Sequence, residues 1–324
     1  MKPAKTSFLV AILVVASGVG SREIHAQIGY CPLSIEGLTA CSEVVVVASV
    51  ADFVCKARAP EAGEERSRWQ WVAVTLKVGT ALKGVRDATK PTMFVIQSDY
   101  GVADLAKWKK SGQAKLWFLE DIGNWKDEIP PGFPGQAKGK PLLRLFADLE
   151  LASPETRNRV PKPVFAMDFR VLKKPEKIVD AVKVEAARRY KGPARLIWLP
   201  MPREVAARSG SSGDANTLGV PVNSRLEVLG RVWVRAKEDW LRQVGVQALA
   251  QFKSEANAAL LKRLLDDKSQ WVEHKEDADP GERVYYIREA AYKTLQAWKV
   301  AVPKPLLREP VKERRGAPGN ADTG

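Results

Sequence analysis

Apolar positions recur along this chain with two different periods, and the period changes about halfway along. "SEVVVVASVADFVC" (residues 42–55) is a long valine-rich run. The charged stretch "KARAPEAGEERSR" separates it from "WQWVAVTLKV" (residues 69–78). In that second run Gln70, Val72, Val74, Leu76 and Val78 share one face, and Trp69, Trp71, Ala73, Thr75 and Lys77 share the other. This period of two predicts a half-buried hairpin. "TMFVIQ" (Thr92–Gln97) and "AKLWFLED" (Ala114–Asp121) predict two more strands, with "VADLAKWKKSG" as a short helix between them. Four or five short strands and one helix in about a hundred residues point to a small closed barrel of the OB type.

From Lys138 to Pro202 the pattern reads strand, strand, helix, strand. "PLLRLFADLEL" and "PVFAMDFRVL" are β-rich. "KPEKIVDAVKVEAARRY" is helical, with Pro175 at its start and Ile178, Val179, Val182 and Ala186 at helical spacing. "ARLIWLP" follows as a strand. The pattern leaves open whether this connector forms its own sheet or extends the barrel. "PPGFPG" (Pro130–Gly135) and "ARSGSSGDANTLG" (Ala207–Gly219) read as loops or boundaries.

Helical spacing dominates the C-terminal third. Aligning "LRQVGVQALAQF" (Leu241–Phe252) with "IREAAYKTLQAW" (Ile287–Trp298) puts Arg242 on Arg288, Leu249 on Leu295 and Phe252 on Trp298, at an offset of 46 residues. "SEANAALLKRLLDD" supplies a partner helix with Leu260, Leu261, Leu264 and Leu265 on its apolar face, and Lys268–Arg283 reads as a charged loop. The offset and the helical hairpin resemble HEAT repeats over about residues 225–302. The two arginines then read as repeat-geometry residues that bond to a neighbouring turn, and "RLEVLGRVWVRA" reads as a cap.

The N-terminus changes the expected compartment. Lys2 and Lys5 precede the apolar run "FLVAILVVA" (Phe8–Ala16), and small residues follow it. This reads as a secretory signal peptide, cleaved after Ala26 or, second, after Ser21. Nine apolar residues fall short of the roughly 20 that cross a bilayer as a helix, so no stable membrane insertion is expected. The formal charge is +14, and loss of Lys2, Lys5, Arg22 and Glu23 leaves +12. Twelve Lys or Arg stand against four Asp or Glu between Arg157 and Arg195. An exported chain this basic meets anionic surfaces first. The candidate anionic-surface residues are Lys173, Lys174, Lys177, Lys183, Arg188, Arg189 and Lys191.

Export also bears on the cysteines. Cys31, Cys41 and Cys55 have only the distant His274 as a companion histidine in the mature chain. A four-ligand zinc site is therefore not expected, and no C-x-x-C is present. In an oxidising compartment a Cys31–Cys41 disulfide is the choice, with Cys55 buried and reduced. No metal or cofactor is expected.

Two cysteines with nine residues between them before "SEVVVVASV", then "VTLKVGTALKG", then "SGQAKLWFLED", resemble the netrin-like domain of tissue inhibitors of metalloproteinases and their bacterial relatives. The resemblance covers about residues 31–121 and implies an OB barrel used for protein interaction. Inhibitors of that family place an N-terminal cysteine's amino group on a protease zinc. Here Gln27 would be exposed by cleavage, Cys31 matches an internal cysteine, and no cysteine follows Cys55.

Candidate chemistry is sparse. Ser209, Ser211 and Ser212 lack a G-x-S-x-G context or a nearby histidine and read as linker. The adjacent pairs Asp266–Asp267 and Glu120–Asp121 point apart on a helix or strand and read as solvated acids. Trp69, Trp71 and Trp117 are candidate stacking platforms for single-stranded nucleic acid, a partner not expected for an exported chain. The expected fold class is α+β multidomain: an N-terminal OB-like β-barrel, a small α/β connector and a C-terminal HEAT-like α-helical array. The expected boundaries are a signal peptide at 1–26, barrel at 27–126, connector at 127–206, linker at 207–224, repeats at 225–302 and a charged tail at 303–324. The expected function is an exported, non-enzymatic binding or scaffold protein engaging a protein or an anionic envelope polymer. An envelope hydrolase and a metalloproteinase inhibitor are the alternatives.

Overall fold

The computed structural model of the chain describes residues 33–57, 70–85, 92–98, 102–121, 143–151, 156–157, 164–190, 192–202, 217–274 and 281–311. The expected signal peptide, Cys31, Lys191 and the three linker serines lie outside the described residues. Helix α1 (Ile35–Cys41) leads into strands β1 (Val44–Ala57), β2 (Gln70–Lys83) and β3 (Thr92–Ser98). Helix α2 (Val102–Ser111) then precedes β4 (Lys115–Asp121), β5 (Leu143–Glu150) and the two-residue β6 (Thr156–Arg157).

These strands form one sheet in the order β3-β2-β1-β4-β5-β6. The β1–β2 ladder runs from Val45 opposite Lys83 to Ala57 opposite Gln70, and three register shifts within it bend β1. β5 belongs to the expected connector, so the connector extends this sheet. The expected closed barrel is a correction: β3 and β5 meet only through the parallel bridge Val95 to Arg144, whereas β4 and β5 pair along their whole length. The sheet therefore curls without a continuous closing ladder.

Both faces of the sheet are covered, which explains the unbroken valines. Val44, Val46, Ala48 and Val50 join Val72, Val74 and Leu76 in one core with Leu105 and Trp108 of α2. Val45, Leu116, Phe118 and Leu149 look the other way, into a second core with Ile35 and Leu38 of α1. Helix α3 (Pro175–Ala186) completes that layer with Ile178 and Val182. Strands buried on both faces read as continuous apolar runs. Trp117 is fully buried, donates from Nε1 to the Ala48 carbonyl at 2.8 Å and meets Trp108 edge to face at 5.8 Å. It is a core residue and not a stacking platform. Lys115 and Asp148, both fully buried, form an ion pair beside it.

A separate two-stranded sheet joins β7 (Leu196–Pro200) to β8 (Thr217–Pro221), the latter inside the expected linker. The β-rich stretch before α3 makes only a turn with a Phe165–Val171 bridge. Helices α4 (Ser224–Trp233), α5 (Asp239–Leu249) and α6 (Glu255–Arg263) follow, and a 3₁₀ turn (Leu264–Asp266) ends the run. The chain next enters β9 (Trp271–Glu273), β10 (Glu282–Val284), α7 (Tyr286–Ala297) and β11 (Arg308–Pro310), with sheet order β11-β10-β9.

The expected HEAT-like array is the second correction. A three-stranded antiparallel sheet occupies the expected charged loop and reaches into the expected tail, so that a sheet separates the helical hairpin from the helix expected to open the next unit. The aligned aromatics serve different cores: Phe252 packs against that of Phe165 and Trp233, and Trp298 lies in that of Leu249 and Leu295. The described chain is thus a mixed α/β structure of seven helices and three antiparallel sheets.

Candidate functional site

Helix α3 opens with Pro175 in its first turn and buries Ile178, Val182 and Glu185. The opposite face leaves Lys177 and Lys183 exposed, together with Glu176, Asp180 and Val184. Lys173 and Lys174 before the helix and Arg189 after it are also exposed. Among the described residues, none of Lys173, Lys174, Lys177, Lys183 or Arg189 enters an ion pair. Arg188 differs: its Nε donates to Glu185 Oε2 at 3.0 Å and its NH1 group to Ser224 Oγ at 3.1 Å. The structure thus divides the expected cationic set into five outward charges and one clamp.

That clamp belongs to a polar junction that sequence reasoning missed. Two buried carboxylates hold the first turn of α4. Glu185 accepts from Asn223 Nδ2 at 3.1 and 3.3 Å and from the Tyr190 hydroxyl. Asn223 also caps α4 through Leu226 N at 3.0 Å. Burial, and after it the bond to Glu185, pushes the Tyr190 hydroxyl pKa up. Glu36 of α1 accepts from Arg225 at 2.8 Å and from the Met167 backbone N–H at 2.9 Å. Burial raises the Glu36 carboxyl above its ordinary value, outweighing the nearby Arg225 charge. One available signal was the position of Glu185, which continues the buried spacing of Ile178 and Val182. Glu36 had none, because α1 is short and carries no clear period.

The α1 end of this junction explains the Lys-Gly turn after β2. Lys83 Nζ donates to the Thr39, Ala40 and Ser42 carbonyls at 2.8, 3.2 and 2.5 Å, where α1 leaves them without intrahelical partners. Gly84 follows at φ +73°, and a Cβ there would stand 2.1 Å from the Glu43 carbonyl oxygen. Cys41, beside this cap, is a free thiol, and burial pushes its pKa up to about 12. Its expected partner Cys31 lies outside the described residues. Cys55, expected to be buried, is a free exposed thiol near the outer end of β1. Among the described residues no three His, Cys, Asp or Glu gather to hold a metal.

The aligned arginines converge on one residue. Arg242 Nε donates to Asp267 Oδ2 at 2.7 Å, and its other nitrogens reach the Ala236 carbonyl at 2.9 Å and Ser269 Oγ at 2.6 Å. Arg288 donates to the Asp267 carbonyl and covers the Tyr285 ring. Burial works against the Asp267 charge, but the bonds from Arg242 and Ser269 hold its carboxyl below the ordinary range. Leu249 and Leu295 are fully buried. Asp266 is exposed; Glu120 and Asp121 face opposite sides of β4, one buried and one exposed. Neither acidic pair converges. A cleft of about 620 Å³ lies between α6 and the end of α7, lined by Lys253, Glu255, Lys262 and Trp298. The side chains of Trp69 and Trp71 lie outside the described residues.

Comparison with protein-family models, curated proteins and solved structures finds no match to this chain.

Proposed function

We propose that this chain is an exported, non-enzymatic binding protein that engages an anionic component of the cell envelope. The carrying observation is the outward set Lys173, Lys174, Lys177, Lys183 and Arg189, exposed on and beside a helix whose other face is locked into the core. The N-terminal apolar run supports export, and the formal +12 left after residues 1–26 favours acidic partners. Glu176 and Asp180 share the face but do not cancel it. Such a surface recognises charge density and not sequence or stereochemistry, because lysine presents a hydrated point charge.

Binding of the exported protein to an acidic wall polymer tests this reading. Affinity should fall at least about tenfold between low and physiological salt, as counterion release requires. Replacing Lys173, Lys174, Lys177, Lys183 and Arg189 with Gln should produce a comparable loss at low salt with the circular dichroism unchanged. Binding that ignores both salt and substitution would reject the proposal.

A further inference from the structure

Charge does not account for everything on this side of the molecule. Helix α4 buries Leu226, Gly230 and Trp233, and a Cβ on Gly230 would already press on Leu249 at 3.0 Å, so its inner face is fully packed. Its outer face carries a straight stripe, Ser224, Val228 and Val232, at helical spacing, and exposed Arg235 follows just past the helix end. Val228 is 59% and Val232 58% exposed. The bond from Arg188 to Ser224 joins the start of this stripe to α3, where Val184 is 53% exposed one turn before Arg188. Lys183, Arg189, Arg235 and Lys237 are exposed within five residues of these valines and outnumber the exposed acids Asp180 and Glu238 beside them. The nearest α4 carboxylate, Glu227, is occupied by Arg231 at 2.7 Å.

Three outward valines inside a cationic rim are more than an acidic polymer requires. We propose that this face docks on an anionic lipid bilayer, with Val184, Val228 and Val232 entering the headgroup boundary while the rim cations meet lipid phosphates. An apolar stripe bordered by Lys and Arg is the composition that binds in the plane of a charged interface. The stripe lies on the outward side of a helix, whereas the described cleft is elsewhere, at α6 and α7. A flat, extended partner fits it better than an inserted peptide. The inference rests on the anionic-partner reading and narrows it to lipid.

Co-sedimentation of the exported protein with phosphatidylglycerol vesicles, phosphatidylcholine vesicles and soluble polyphosphate tests it. Wild type should bind phosphatidylglycerol and not phosphatidylcholine. The variant Val184→Ser/Val228→Ser/Val232→Ser, exposed at every position, should fold normally and lose at least about tenfold in phosphatidylglycerol affinity, with polyphosphate binding unchanged. The single change Val228→Glu should act in the same direction. If the serine variant binds phosphatidylglycerol like wild type, the lipid inference falls and the charge reading stands. Wild type that binds polyphosphate but no vesicle likewise removes the lipid inference and leaves the charge reading in place. Binding to neither anion overturns both.

Discussion

Replacing Arg225 with Ala should weaken the protein by an amount that depends on pH, because it leaves Glu36 with no cation and only backbone N–H donors inside the junction. In the native structure Glu36 is fully buried while 27% of the Arg225 side chain reaches solvent. Removing one partner of a buried pair costs about 3–5 kcal/mol when both are dry. The wet edge of this guanidinium argues for the lower end, about 2–3 kcal/mol at neutral pH. The pH dependence follows from the Glu36 carboxyl, which already titrates above its ordinary value through burial and should rise further without Arg225. A folded state that holds its proton more tightly than the unfolded chain loses stability as pH rises through the interval between the two pKa values. The Arg225→Ala cost should therefore be largest near about pH 8 and shrink toward about pH 5, where Glu36 is increasingly neutral in the variant. Adding Glu36→Gln should restore at least about 1 kcal/mol at neutral pH, since an amide still accepts from Met167 without leaving a bare charge. Urea unfolding followed by tryptophan fluorescence reads all three, with the denaturant slope held as a control. A cost below about 0.5 kcal/mol at both pH values, or a double variant no better than Arg225→Ala, would refute the argument.

Iodoacetamide at about pH 8 should label Cys55 well before Cys41, because the exposed thiol is accessible while burial holds the other near a pKa of about 12; equal labelling in the peptide map would show that Cys41 is not shielded. Gly84→Ala should cost more than about 2 kcal/mol, since a left-handed backbone and a Cβ aimed at the Glu43 oxygen must both be accommodated, and a change below about 0.5 kcal/mol would mean the turn relaxes freely.

The strands and helices were legible wherever one period held over several residues. The alternation of β2 and the spacing of Ile178 and Val182 in α3 both lead to the observed faces. What periodicity could not carry was partnership across long distances. The run Val44 to Val47 is apolar on both sides because helices cover both faces, which hairpin reasoning does not anticipate. "WVE" and "ERV" are too short to register as strands, yet pairing with residues 308–310 makes them a sheet. That sheet is what dissolves the apparent repeat. Within the candidate site the lysines were legible as charge, but the removal of Arg188 from the set depends on Glu185 and Ser224. The exposed valines of α4 were hidden because helical spacing alone does not say which of two apolar stripes faces inward.

The Glu36–Arg225 contact spans 189 positions of the chain, and the Glu36–Met167 contact spans 131. Contacts of that separation carry a closure entropy that local contacts avoid, and it falls when the intervening chain is already folded. The junction is therefore expected late in assembly, after the large sheet and the C-terminal helices have each formed their own local contacts. Interactions absent from the folding transition state govern how fast a native protein comes apart and hardly affect how fast it forms. Glu36 and Arg225 are in this sense an expected kinetic lock: Arg225→Ala should speed unfolding in a stopped-flow urea jump and leave the folding rate nearly unchanged, and a slowed folding limb would place the pair in the transition state instead.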